Sequence, residues 1–145
     1  MAEKTKDKQK FEEYSLLSTK CVNSAENYTP AWDQLKNLST GFILFSKEDY
    51  VVSESYFSNI LENKGKSDPN NQFIYDLAKF IKAIIAYNKC NYKQSIQILT
   101  ELIRENNFIN ESVLESLGLC FFNSGDVKKA KKIFEKCLTL VSLII

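Results

Sequence analysis

The sequence predicts an all-α protein, a right-handed superhelix of antiparallel helix pairs stacked as an α-solenoid. Three observations carry this. Apolar residues recur at three- and four-residue spacing along most of the chain, the period of a helix with one buried face. The 145 residues include only two prolines and four glycines, too few for a fold rich in strands and turns. A pair of small residues twelve positions apart then occurs three times, as Gly41 with Ser53, Ala83 with Ser95, and Gly118 with Ala130. Two helices can lie close only where side chains are small, so each pair marks one hairpin.

The elements follow in order. Residues 1–9 are charged and polar, and are expected to be disordered. Phe11, Tyr14, Leu17, Cys21, Val22 and Ala25 set a helical pattern over 10–27, read as the lone second helix of a partial repeat (10–28) or as a plain capping helix. Thr29 and Pro30 suit the cap and first turn of the next helix. Repeat 30–61 has Trp32, Leu35, Leu38, Gly41, Phe42, Leu44 and Phe45 on its first helix. Its second helix is lined by Tyr50, Ser53, Phe57, Ile60 and Leu61, and Glu48 stands in the turn where a glycine is expected. ENKGKSDPNN, 62–71, reads as a solvated insertion. Repeat 73–106 carries Ile74, Leu77, Phe80, Ile81, Ala83, Ile84, Ala86 and Tyr87, then Tyr92, Ser95, Ile96, Leu99, Leu102 and Ile103.

Repeat 108–140 is the plainest. Leu114, Leu117, Gly118, Phe121 and Phe122 form one stripe. Ser124-Gly125-Asp126 is a turn in which glycine ends one helix and aspartate caps the next. Val127, Ala130, Ile133, Phe134, Cys137 and Leu138 form the second stripe. The whole of 10–145 is expected to be one domain. Residues 141–145, VSLII, are an apolar tail with no polar outer face, expected to self-associate or to be disordered, as in a piece cut from a longer array.

This order of leucine and glycine, aromatic, turn glycine, alanine and second aromatic resembles the tetratricopeptide repeat (TPR) family. The steps from Gly41 to Ala83 and from Ala83 to Gly118 are 42 and 35 residues. The second is close to the TPR period, and the first is that period lengthened by the polar loop. The resemblance implies a concave surface built from first helices, open to a peptide or helix of another protein. By spacing, that groove is Leu38, Phe42, Phe45 and Ser46; then Phe80, Ile84, Tyr87 and Asn88; then Glu115, Leu119, Phe122 and Asn123. The family's two-carboxylate clamp is missing, because the matching places hold Leu38, Phe42, Ile84, Ser112 and Ser116. A heat-shock co-chaperone is therefore not expected.

Composition narrows the chemistry. Nineteen basic and eighteen acidic residues leave a net charge of +1, which does not favour nucleic acid as a direct partner. The chain has no histidine, so a serine or cysteine nucleophile lacks its usual base. No glycine-rich phosphate loop is present. Cys21, Cys90, Cys120 and Cys137 are scattered and read as free thiols, with no metal site. No enzyme activity and no cofactor are expected. With no signal peptide and no apolar stretch of membrane-spanning length, no membrane partner is expected either, and the nucleus or the cytoplasm is the expected address. Lys128, Lys129, Lys131, Lys132 and Lys136 make a basic stripe on the last helix, read as a solvated face or an acidic-partner contact.

GFILFSKEDY with SYFSNIL, IKAIIAYNKCNYKQSI, and LGLCFFNSGDVKKAKKIFEKCL resemble, more narrowly, the Ctr-nine family of subunits of the RNA polymerase II-associated factor (PAF) complex. That resemblance implies a nuclear scaffold bound to other PAF subunits during transcription elongation. A TPR adaptor of the cytosol, an organelle or the cytoskeleton is the alternative.

Overall fold

The computed structural model describes residues 8–17, 30–63 and 72–144. Every regular element among the described residues is a helix: α1 (8–17), α2 (Pro30–Ser46), α3 (Tyr50–Glu62), α4 (Gln72–Asn88), α5 (Tyr92–Arg104), α6 (Glu111–Asn123) and α7 (Val127–Ile144). The expectations for residues 1–7, for Cys21, Val22 and Ala25, for the Thr29 cap, for the loop over 64–71, for the side chain of Trp32 and for Ile145 lie outside the described residues.

The three hairpin turns are built alike. Glu48, Cys90 and Gly125 take the left-handed conformation, at φ 63°, 60° and 91°. In each turn that residue's N–H donates three residues back, to Phe45, Tyr87 or Phe122, at 2.9–3.1 Å. The next N–H donates five residues back, from Asp49 to Leu44, Asn91 to Ala86 and Asp126 to Phe121, at 2.8–3.0 Å. This is a Schellman closure, which satisfies the last helical carbonyls. The side chains of Asp49, Asn91 and Asp126 then accept from the N–H of Val52, Gln94 and Lys129, so one residue ends the turn and caps the following helix. Glu48 thus holds the geometry of the missing glycine.

Pairing is antiparallel throughout. Along α2 and α3, Asn37 bonds Asn59, Gly41 meets Phe57 and Ser53, and the turn closes at Leu44–Asp49. On α6 and α7, Cys137 reaches the Glu111 carbonyl while Gly118 faces Phe134. The helices α4 and α5 cross where the Ser95 hydroxyl donates to Ala83, and α5 meets α6 where Cys120 reaches the same hydroxyl.

The chain divides into two compact units, Met1–Tyr75 and Asp76–Ile145, with the boundary in the first turn of α4. The sequence suggested one domain; repeats that contact only their neighbours readily separate into such units. In the first unit Gln34, Leu38 and Gly41 form a buried stripe on α2, Phe57 and Ile60 are fully buried on α3, and Gln34 donates to the Tyr75 hydroxyl at 2.9 Å. The second unit is centred on Ala83, Leu99, Leu102, Val113, Leu117 and Cys120. Burying a side chain such as Leu99 contributes about 1.5–3 kcal/mol relative to exposing it. Helix α7 runs on to Ile144, past the expected end at Leu140. Thr139, Val141 and Ser142 offer neither a glycine nor a proline to stop it, so residues 141–144 continue the helix rather than form a separate tail.

Candidate partner-binding site

Counting from the small residue of each first helix puts the expected groove residues into equivalent columns. One position on are Phe42, Ile84 and Leu119, all half-buried. Four positions on are Phe45, Tyr87 and Phe122, and five on are Ser46, Asn88 and Asn123. The aromatic column sits one turn before the hairpin, where the second helix returns a ring to it. Phe45 tilts against Tyr50 with centroids 5.6 Å apart, and Tyr87 against Tyr92 at 5.5 Å. The third hairpin has Val127 in place of that tyrosine, and there Phe122 is 57% and Val127 58% exposed.

Within the second unit the columns of α4 and α6 are tied together. The Asn123 side-chain amide donates to the Tyr87 hydroxyl at 3.0 Å and to the Leu119 carbonyl at 2.9 Å. Phe80 and Tyr87 rest on the buried cluster, which fixes their rings from behind, while Asn88 is exposed. Phe80, Ile84, Tyr87, Asn88, Leu119, Phe122 and Asn123 therefore share one half-apolar surface carrying amides and a phenol, with the exposed Glu115 one turn before Leu119 on α6. Rings held from below, beside the exposed Asn88, suit an apolar anchor with a hydrogen bond to a peptide backbone. The Tyr92 phenol beside this surface has its pKa raised, first by its hydrogen bond with Cys90.

In the first unit Phe42 packs edge-on against Phe57, with centroids 5.7 Å apart. It also lines a depression of about 300 Å³ with Ser39, Ile43 and, from α1, Phe11, Tyr14 and Ser15. Helix α1 thus walls part of this face. Leu38 is 9% exposed and offers a partner little surface. It lies one turn before Gly41, on the stripe pressed into the helix pair, a placement that the spacing from Gly41 contained. At the clamp positions Ser116 donates its hydroxyl to the Ser112 carbonyl at 2.7 Å, so that group is used within its own helix.

A second concavity was not foreseen from the sequence. Helices α5, α6 and α7 enclose a trough of about 730 Å³ whose floor is Leu114, Leu117 and Phe121. Its walls carry Ile103, Arg104 and Ile133 with Lys132 and Lys136. The lysines of α7 were the only available signal, since the apolar residues there read simply as core. Among the described residues no helix is long and apolar enough to cross a membrane.

No family model matches this chain, and no solved structure matches it. It is similar to the RNA polymerase-associated protein CTR9 of Caenorhabditis elegans, with 27% identity over 143 residues. That alignment covers 95% of this chain and 12% of the nematode protein, so the chain spans a small part of its relative's length. The all-helical fold and its repeated hairpins fit TPR-like repeats.

Proposed function

We propose that this chain is a segment of a helical-repeat scaffold that holds other proteins, working as part of an RNA polymerase-associated assembly in the nucleus. The PAF complex is the assembly in question, and its subunits are the partners. The α4–α6 surface is the docking face, taking an extended or helical segment through Phe80, Ile84, Tyr87 and Phe122. Phe42 and Phe45 serve in the same way on α2. The role is one of binding rather than catalysis, in keeping with a chain that has no histidine.

The observation that supports this most is the Asn123–Tyr87 bond, which joins two successive first helices into one surface with the aromatic column at its edge. The likeness to an RNA polymerase-associated protein supports the setting proposed. Capture from nuclear extract tests it: the wild-type chain recovers polymerase-associated subunits, and the double variant Phe45→Ala, Tyr87→Ala recovers them at least tenfold less at unchanged helicity. Equal recovery by the variant removes the face from the proposal. Recovery of organelle or cytoskeletal proteins in place of polymerase-associated ones moves the scaffold to the alternative adaptor role.

A further inference from the structure

We propose that the trough between α5 and α7 is a second docking site, and that its occupant is an amphipathic helix of a partner protein whose apolar ridge is flanked by acidic residues. This site is independent of the α4–α6 reading. Leu114, Leu117 and Phe121 lie on a different side of α6 from Leu119, Phe122 and Asn123, so the two surfaces share a helix and no side chain.

Shape and charge together select the occupant. Its floor is a helix, with Leu114, Leu117 and Phe121 at i, i+3 and i+7, and its walls are two further helices, so an inserted ridge at the same helical spacing matches it. The floor and walls are apolar, with Ile109 exposed at one end. Its rim is cationic: Arg104, Lys132 and Lys136 line it, against the one carboxylate of Glu135. Among the described residues Arg104, Lys132 and Lys136 take part in no salt bridge, whereas Lys129 is paired with Asp126 at 3.6 Å. Lys128 and Lys131 extend the same positive field along α7. Cations beside an apolar cleft attract a carboxylate-bearing ligand and speed its encounter. A second copy of the chain fits poorly. Its α7 carries five lysines and a single glutamate, and the rims would repel.

A library of 15-residue helical peptides tests this. Each has a fixed leucine ridge and flanking positions varied among Glu, Lys and Gln, and selection is on the whole chain with binding read by fluorescence anisotropy. Glutamate is expected at the flanks of selected peptides. Their lysine counterparts bind at least tenfold more weakly, and affinity falls as sodium chloride rises from 50 to 300 mM. The exposed double variant Lys132→Glu, Lys136→Glu keeps its helicity and reverses the preference to lysine, while the exposed Phe122→Ala on the α4–α6 surface leaves it intact. No enrichment, enrichment of lysine, or a preference that survives the charge reversal or is lost with Phe122→Ala overturns the proposal. So does a dimer in sedimentation equilibrium that Lys132→Glu dissociates, since a second copy then fills the trough.

Discussion

The Ser95 hydroxyl donates to the Ala83 carbonyl at 2.8 Å, and Ser53 makes the same bond to Gly41, also at 2.8 Å. The twelve-residue spacing of small residues is therefore a bonded contact as well as a close one. Ser95 is fully buried, and its oxygen also accepts from the Cys120 thiol at 3.2 Å. Ala130 holds this position in the third hairpin and is 1% exposed, so a methyl group fits without the bond. Ser95→Ala is expected to lower stability by about 1 kcal/mol, the net worth of a buried hydrogen bond, at unchanged helicity. A lower urea midpoint with the same denaturant slope would record it.

Gly118 is required by the ring opposite. A Cβ placed there would lie 2.6 Å from Phe134, inside any real contact distance. Gly118→Leu is expected to cost roughly 1–3 kcal/mol through overpacking. Trimming the ring in Gly118→Ala, Phe134→Leu should recover part of the loss seen in Gly118→Ala alone. Thermal melts of Gly118→Ala, Phe134→Leu and the double variant check the coupling, and additive losses would show that the two residues are not in register.

The turns give a test of backbone strain without packing. Nothing lies within 4 Å of a Cβ added at Gly125, so Gly125→Ala changes only the cost of a positive φ. It is expected to destabilise by about 1 kcal/mol. Glu48→Gly and Cys90→Gly should each stabilise by a similar amount, because both residues already hold the left-handed conformation. Chemical denaturation of all three variants reads the sign directly.

These turns also show what the sequence could and could not reveal. Gly125 with Asp126 announces a hairpin, and the twelve-residue spacing carries that register to Glu48 and Cys90, which have no turn chemistry of their own. The aromatic column was legible because Phe45, Tyr87 and Phe122 share one offset from the small residue. Leu38 is buried, at 9% exposure, although its spacing also fits the open face. On a helix that is apolar around much of its circumference, periodicity shows that a face is buried without showing which of two apolar faces is. The trough between α5 and α7 was missed for a related reason: Ile103, Leu117 and Ile133 look like core until three helices are seen to leave a gap between them.

The cysteines should report on folding. Burial pushes the Cys120 thiol above its ordinary value of 9.0, and burial followed by Glu111 and Glu115 raises Cys137. A folded-state pKa above the unfolded one means the folded chain holds its protons longer. The associated stability is complete below the unfolded thiol value and is lost as pH climbs through the folded one. Urea midpoints are expected to be flat up to about pH 8 and to fall from about pH 9 upward. In a Cys21→Ser background, maleimide should label exposed Cys90 first, half-buried Cys137 next, and buried Cys120 only on unfolding.

The aromatic column of the second unit separates docking from stability. Phe122 is mostly exposed, so Phe122→Ala removes little buried area and is expected to change stability by less than about 0.5 kcal/mol. Tyr87 rests on the buried cluster and accepts from Asn123, so Tyr87→Ala should cost more, about 2–4 kcal/mol by analogy with other large-to-small changes at packed positions. Tyr87→Phe keeps the ring and drops only the hydroxyl that ties α4 to α6, at about 1 kcal/mol. If the α4–α6 surface is the docking face, Phe122→Ala weakens partner capture at least tenfold while melting like the wild type. A Phe122→Ala chain that captures its partners normally would show that exposure at this turn serves something else, whatever the effect of Tyr87→Ala.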